Sequence, residues 1–276
     1  MDAIETVTEL FLARARERLL VVTGAGISLA SGIPTFRGDD PKAIWKHDVT
    51  ELGTFRYFRQ DPVGSWRWYL SRFAKTMGAR PNPAHTALVA LEDACTAAGG
   101  ELLLVTQNID GLHRQAGSRN LVEVHGRADR VRCARRGCSN AEPAGSLPCT
   151  DLDLHRFQTD PCEANLPRCP RCHAVLRQHV LWFDECYDSH QDYQWERVVQ
   201  ASTSCAAVLF VGTSFSVGVT QLILSAALDR GVPVLSIDPA GATEAGVPCL
   251  RARAEDLLPA VANAVRSRKT LARMQP

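Results

Sequence analysis

Leu19-Leu20-Val21-Val22-Thr23-Gly24-Ala25-Gly26-Ile27-Ser28-Leu29 is the stretch on which the fold turns. Its first five residues form a strand with no polar face, as expected of a strand covered on both sides in a parallel sheet. The glycines that follow let backbone N–H groups approach a pyrophosphate at the start of a helix. The dinucleotide fingerprint is incomplete, however. Its third glycine position holds Leu29, and no second strand ends about 20 residues on in an acid that would hold a ribose. A plain strand-to-helix turn accounts for the glycines equally well.

The same alternation continues on either side. Residues 2–18 place Ile4, Val7, Leu10 and Phe11 on one helical face. Leu102–Thr106, Ala207–Val211 and Val232–Asp238 read as strands, and amphipathic stretches at 84–98, 219–230 and 254–266 as helices. This predicts an α/β fold with a parallel sheet covered on both faces. Two segments interrupt it. Residues 39–80 are rich in aromatics (Phe55, Tyr57, Phe58, Trp66, Trp68, Tyr69) and read as an inserted helical module. Residues 127–178 lose strand–helix periodicity and hold six of the ten cysteines. That segment is too poor in large apolar residues to fold on its own core, so it needs a staple. The sheet-forming stretches are thus interrupted by a helical module and by a cysteine-rich module.

Charge narrows the function. The 31 basic and 30 acidic residues among 276 leave a formal net charge of +1, which argues against a dedicated nucleic-acid surface. No apolar run reaches the roughly 18 residues of a membrane span. The stretch MDAIETVTEL is acidic, with no basic n-region, so we expect no secretory signal and a cytoplasmic setting. In a reducing compartment clustered cysteines mean metal rather than disulfides. Cys133-x₄-Cys138 and Cys169-x₂-Cys172 form two short-spaced pairs suited to one closed tetrahedral Zn²⁺. Cys149, Cys162, His155 and His173 lie near enough in sequence for ligand exchange to stay open. Arg127, Arg130, Arg132, Arg135 and Arg136 are expected to offset the thiolate charge.

Polar residues cluster where strands end. After Leu102–Val105 the chain turns abruptly to Thr106-Gln107-Asn108-Ile109-Asp110-Gly111-Leu112-His113. Two amides and a carboxylate suit a carboxamide and sugar hydroxyls beyond a strand end; an Asx-turn and helix cap read the same way. Leu121–Gly126 places His125 at another strand end, where a general base can sit.

Taken in order, GAGIS at 24–28, SGIPTFRG at 31–38, TQNIDGLHRQAG at 106–117, HG at 125–126, HVLWFDE at 179–185 and GTS at 212–214 resemble the motif set of sirtuins, NAD-dependent protein-lysine deacylases. The resemblance runs from about residue 19 to about residue 260. It implies NAD between a Rossmann-like domain (1–38, 81–126 and 179–276) and a small domain made of a helical module (39–80) and a zinc-binding module (127–178), with acylated lysine of a protein or peptide as substrate. Carried over by motif, Gly24, Ala25, Gly26, Thr35, Phe36 and Arg37 would line the cofactor loop. Gln107, Asn108 and Asp110 would surround the nicotinamide ribose and carboxamide, and Gly212, Thr213, Ser214, Asp238 and Ala254 the adenosine side. His125 would be the catalytic base, with Asn108 assisting. In the family, the acyl oxygen attacks the ribose carbon as nicotinamide leaves, and 2′-O-acyl-ADP-ribose and free lysine result. Val180, Trp182 and Phe183 would line the peptide groove. Asp184 stands where the family commonly has Gly, which puts peptide preference in doubt, and Asp238 where it commonly has Asn. Trp68-Tyr69-Leu70-Ser71-Arg72 places Tyr69 and Arg72 on one helical face. The pair resembles the Tyr-x-x-Arg of desuccinylase-type (class III) sirtuins, whose arginine takes the carboxylate of succinyl and malonyl groups. A simple deacetylase, in which the pair is incidental, and a protein mono-ADP-ribosyltransferase are the alternatives.

Overall fold

The computed structural model describes residues 2–35, 49–73, 76–241, 243–244 and 246–274. Phe36 and Arg37 of the cofactor loop, and residues 39–48 of the helical module, lie outside the described residues. The strands, in chain order, are β1 (Arg18–Thr23), β2 (Glu101–Thr106), β3 (Leu121–Glu123), β4 (Gly126–Cys133), β5 (Leu147–Pro148), β6 (Leu176–Val180), β7 (Ala207–Val211), β8 (Val234–Ile237) and β9 (Cys249–Leu250).

Leu19 to Thr23 are all buried, as the uninterrupted apolar run requires. Leu19 and Val21 join a core formed with the helices Ala3–Ala13, Pro83–Ala97 and Ala254–Met274. Leu20 and Val22 point to the opposite core, under Trp195–Ser204 and Gly218–Asp229. Strand alternation thus feeds two apolar layers from one segment. The six-stranded sheet has the order β3-β2-β1-β7-β8-β9 with all neighbouring strands parallel. With the three strands of the second sheet set aside, this is the 3-2-1-4-5-6 order of doubly wound dinucleotide-binding folds. Among the described residues no helix is long and apolar enough to cross a membrane.

The cysteine-rich segment departs from the sequence reading. It is not without periodicity: β5, β4 and β6 form an antiparallel sheet. The pattern is hidden because the face opposite its core carries Arg132 and Arg177, both fully buried, and because the β4–β6 register shifts between Gly126 and Val131. The sheet begins at Gly126 and ends at Val180, so the strands run past 127 and 178 at both ends. Its apolar face is completed by others. Val131, Leu176 and Val180 pack with Phe58, Trp66 and Tyr69 of the helical module and with Phe157.

Arg132 and Arg177 meet one carboxylate. Glu185 Oε1 lies 3.0 Å from Arg132 Nη2 and Glu185 Oε2 lies 2.8 Å from Arg177 Nη2. Glu185 Oε2 also accepts from the Trp182 N–H at 3.0 Å. Burial alone would raise the Glu185 carboxyl, but the two guanidiniums bring it below the usual carboxylate range. For Arg127, Arg130 and Arg132 the expected screening of the thiols is therefore corrected. Arg132 serves Glu185, Arg127 pairs with Asp129, and Arg130 bonds Ser146.

The thiols themselves converge. Sγ atoms of Cys133, Cys138, Cys169 and Cys172 all lie within 4.8 Å of one another. Cys133 and Cys172 are 3.5 Å apart and Cys138 and Cys169 3.7 Å, far beyond a disulfide bond. Zn–S bonds of about 2.3 Å give a tetrahedron with edges of about 3.8 Å, so the donor set fits zinc. The Arg135 backbone N–H and the Asn140 side-chain amide point at Cys133 and Cys169 sulfurs and temper the thiolate charge. Cys149 and Cys162 stand outside this cluster; Cys149 Sγ faces the Ala128 carbonyl instead.

Two outcomes follow from these contacts. Cys169→Ser is expected to lose zinc, counted with a chromogenic chelator, and to melt the small domain while the parallel sheet persists by circular dichroism. Glu185→Ala strands the buried Arg177 guanidinium, whereas Arg132 keeps Glu142 at 3.0 Å, and should cost about 3–5 kcal/mol in denaturant unfolding.

Candidate functional site

The strand order reverses between β1 and β7, and ligands of open α/β sheets bind beyond the carboxyl ends at such a point. Here the two strand ends touch. Gly24 N–H donates to Val211 O at 3.0 Å and Gly26 N–H to Gly212 O at 2.9 Å. A Cβ on Gly26 would stand 2.7 Å from Gly212 Cα, and one on Gly24 2.6 Å from Gly212 O. Gly212 itself has φ +59°. Close backbone approach, rather than turn freedom alone, requires these glycines. The chain then enters a 3-10 helix, Ala25–Ser31, instead of a long crossover helix.

The amide-rich end of β2 closes over this turn. Asn108 Nδ2 donates to Gly24 O at 3.0 Å and to Ser28 Oγ at 3.2 Å. Ser28 Oγ donates to Asp110 Oδ2 at 2.7 Å, and Leu112 N–H to Asp110 Oδ1 at 2.9 Å. Burial raises the Asp110 carboxyl, and these two donors hold part of it back. Gln107 Nε2 donates to Thr23 O at 3.2 Å and Thr213 Oγ1 at 3.0 Å. The N–H groups of Asn108 are thus committed to the chain, and what it offers a ligand is its amide oxygen. Amide oxygens and a half-shielded carboxylate are acceptors suited to carboxamide N–H and ribose hydroxyl groups, so the donor set fits NAD.

His125 sits just beyond β3. Its Nδ1 is 2.9 Å from Gln107 O and its Nε2 is 3.3 Å from the Tyr187 hydroxyl. A carbonyl only accepts, so Nδ1 carries the proton and Nε2 the lone pair. Burial pushes the imidazole down to about 4, while the Gln107 carbonyl pulls it back up. His125 is neutral at pH 7, with its basic nitrogen defined.

The remaining expected residues fall unevenly. Ala25 and Thr35 flank the 3-10 turn half-buried, Thr213 is buried, and Ser214 is exposed with Oγ 2.9 Å from Ser216 Oγ. Asp238 follows β8 and accepts from the Ala240 N–H at 2.9 Å. Ala254 opens the last helix and packs into the core. Val180 and Trp182 point inward; the Arg177 guanidinium stacks 3.5 Å above the Trp182 ring. Only Phe183 of the three groove residues is exposed, at 53%. Asp184 does not add a free charge there: it accepts from the Phe55 and Arg56 N–H groups at 2.7 and 3.0 Å, at the start of helix Phe55–Gln60. Tyr69 is buried with its hydroxyl donating to Ala128 O at 3.1 Å, and the Arg72 guanidinium lies 5.9 Å over the Trp68 ring. Sequence reasoning missed Ser28, Asn82 and Tyr187. Asn82 Nδ2 bonds Ile27 O at 2.8 Å and Ser31 Oγ at 3.0 Å and, with His85, caps helix Pro83–Ala97. Asn-Pro ahead of a helical pattern was the available signal; Tyr187 had none.

The sequence and the fold are shared with known proteins. A family model described as Sir2 family matches residues 24–219. An NAD-dependent protein deacylase of Thermus thermophilus is 39% identical over 224 residues, covering 81% of this chain and 80% of the relative. One from Pyrococcus abyssi is 37% identical over 250 residues, covering 90% and 92%. A solved Sir2 homologue mutant in complex with ADP-ribose superposes with a TM-score of 0.79 at 30% identity, covering 98% of this chain and 99% of that one. A Sir2 homologue–NAD complex gives 0.75 at 31% identity, covering 97% and 95%. The chain belongs to the Sir2 family.

Proposed function

We propose that the protein is an NAD-dependent protein-lysine deacylase whose base is His125 and whose small domain is held by one structural zinc on Cys133, Cys138, Cys169 and Cys172. The carrying observation is His125 itself, a neutral imidazole with its proton fixed on Nδ1 and anchored through Gln107 O to the amide cluster. The relatives' names and the NAD and ADP-ribose complexes support the same chemistry. When bound, NAD supplies an electrophilic ribose carbon, because its nicotinamide is a cationic leaving group, and hydroxyls that take up the acyl group. Asn108 and Asp110 would hold the carboxamide and ribose beside the Gly24–Gly26 turn, and Gln107 keeps Thr213 and β1 in register. His125 Nε2 would take a ribose hydroxyl proton, assisting acyl migration. The products are nicotinamide, 2′-O-acyl-ADP-ribose and unmodified lysine. None of the ten cysteines is in a disulfide, in keeping with a reducing, cytoplasmic setting.

Acidic acyl groups are the finer part of the proposal. Tyr69 spends its only proton on Ala128 O, so a succinyl or malonyl carboxylate falls to Arg72, one turn along the same helix. Phe183 provides the exposed apolar edge of the peptide groove.

Turnover of matched acetyl-, succinyl- and malonyl-lysine peptides, followed by nicotinamide release and product mass, tests both levels. Acyl-ADP-ribose indicates deacylation; a labelled acceptor protein indicates ADP-ribosyl transfer instead. His125→Ala should lower turnover by about 10²–10⁴-fold without changing zinc content or melting. Arg72→Met should lower desuccinylation by roughly tenfold or more while sparing deacetylation; equal losses would remove Arg72 as the carboxylate's partner.

A further inference from the structure

We propose that Tyr187 is a positioning residue for His125, its hydroxyl holding the Nε2 lone pair in place until a ribose hydroxyl takes it over; this rests on the deacylase reading above. Tyr187 lies in a short turn, Tyr187–Ser189, that follows the groove segment. Because Nδ1 of His125 gives its proton to the Gln107 carbonyl, the contact at Nε2 has one polarity: the phenol donates and the imidazole accepts. The phenol is itself fixed from several sides. Its ring stacks on Trp195 with centroids 4.4 Å apart and planes 17° from parallel. The Val219 N–H, at the start of helix Gly218–Asp229, faces its oxygen, and Gly218 lies close enough that a Cβ there would touch the ring at 3.6 Å. His125 is thus gripped at both nitrogens, by β2 through Gln107 and by the start of a distant helix through Tyr187.

The consequence is chemical as well as mechanical. A donor on Nε2 stabilises the neutral imidazole. Among the charged side chains near it in sequence, Glu123 is taken up by Arg114 and Arg127, and the influences on His125 are burial and the Gln107 carbonyl rather than a formal charge. Nε2 has a single lone pair, so a ribose hydroxyl can reach it only by exchanging with the Tyr187 hydroxyl. The proton then moves from ribose oxygen to Nε2; Tyr187 neither gains nor loses one. Until that exchange the phenol keeps water off the base and the ring edge correctly turned.

Tyr187→Phe keeps the ring and its stacking on Trp195 and removes only the hydroxyl. In ¹⁵N-histidine-labelled protein without NAD, the Nε2 resonance of His125 at neutral pH is expected to move toward that of an unbonded nitrogen. The acid limb of kcat/KM is expected to rise by roughly half to one pH unit, because loss of a donor to the neutral form raises the imidazole. kcat should fall several-fold while KM for NAD stays within about twofold, with melting unchanged. Tyr187→Leu, which also removes the stacking, should give the same acid limb as Tyr187→Phe. An unchanged Nε2 resonance and acid limb in Tyr187→Phe overturns the proposal, as does a shift confined to Tyr187→Leu, which would assign the effect to ring packing. Wild-type protein that turns over no acylated peptide defeats the deacylase reading, and the resonance measurement still decides the contact.

Discussion

No side chain fits between Gly26 and Gly212. The ends of β1 and β7 are pressed together where the sheet reverses its strand order, and the site is built around that contact. Because the chain leaves β1 against another backbone, it turns at once into a 3-10 helix, and Ser28 comes within reach of Asn108 and Asp110 from the neighbouring strand. Gln107, the next residue along from Thr106, bridges β1 to Thr213 beyond β7. Three strand ends are therefore cross-linked by side chains from one of them, and a ligand arriving there meets acceptors already ordered.

The second constraint is that the cysteine-rich segment does not complete a core alone. It packs on Phe58, Trp66 and Tyr69 of the helical segment and is tied down at two points. The four thiols close one end. Glu185 closes the other, and because its Oε2 also accepts from Trp182 N–H, the clamp that pairs two buried arginines shapes the groove segment too. Asp184 faces the other way and holds the start of helix Phe55–Gln60. Adjacent acids in one motif thus bind the groove to both halves of the small domain. Conformational strain or metal loss in that domain would be felt at the groove before it reached His125.

The parallel sheet was legible because burial on both faces leaves an unbroken apolar run, which Leu19–Val22, Leu102–Val105 and Ala207–Val211 all show. The thiol set was legible because metal geometry enforces short spacing. What escaped has a common cause. β4 and β6 carry arginines on a buried face, which a rule that charges are exposed reads as loop. Asp184 read as a groove charge and Glu185 received no role, because their partners lie about eight to 130 residues away in sequence. Tyr187 is a single aromatic beside a motif, and only its tertiary distance to His125 distinguishes it. Tyr69 shows the reverse: its spacing from Arg72 suited a ligand, whereas its hydroxyl bonds backbone.

In the role proposed for His125, a base pushed down to about 4 by burial departs from the near-neutral histidine that general-base catalysis favours. The difference lies in its partner. In a Ser-His-Asp triad a carboxylate faces Nδ1 and stabilises the imidazolium. Here a carbonyl faces Nδ1, which fixes the tautomer but adds only a dipole. On that reading the site receives a cationic nicotinamide ring, and this is an advantage, since an imidazolium would repel the ring and a carboxylate behind the imidazole would favour that charge. A weak base is adequate if the proton it takes has been loosened. A ribose hydroxyl acidified by the charge developing at the neighbouring carbon is such a donor, and it arrives only with the substrate. Neutrality in the free enzyme and basicity at the moment of reaction are then compatible, because the charge that makes the second useful is the one that the first leaves room for.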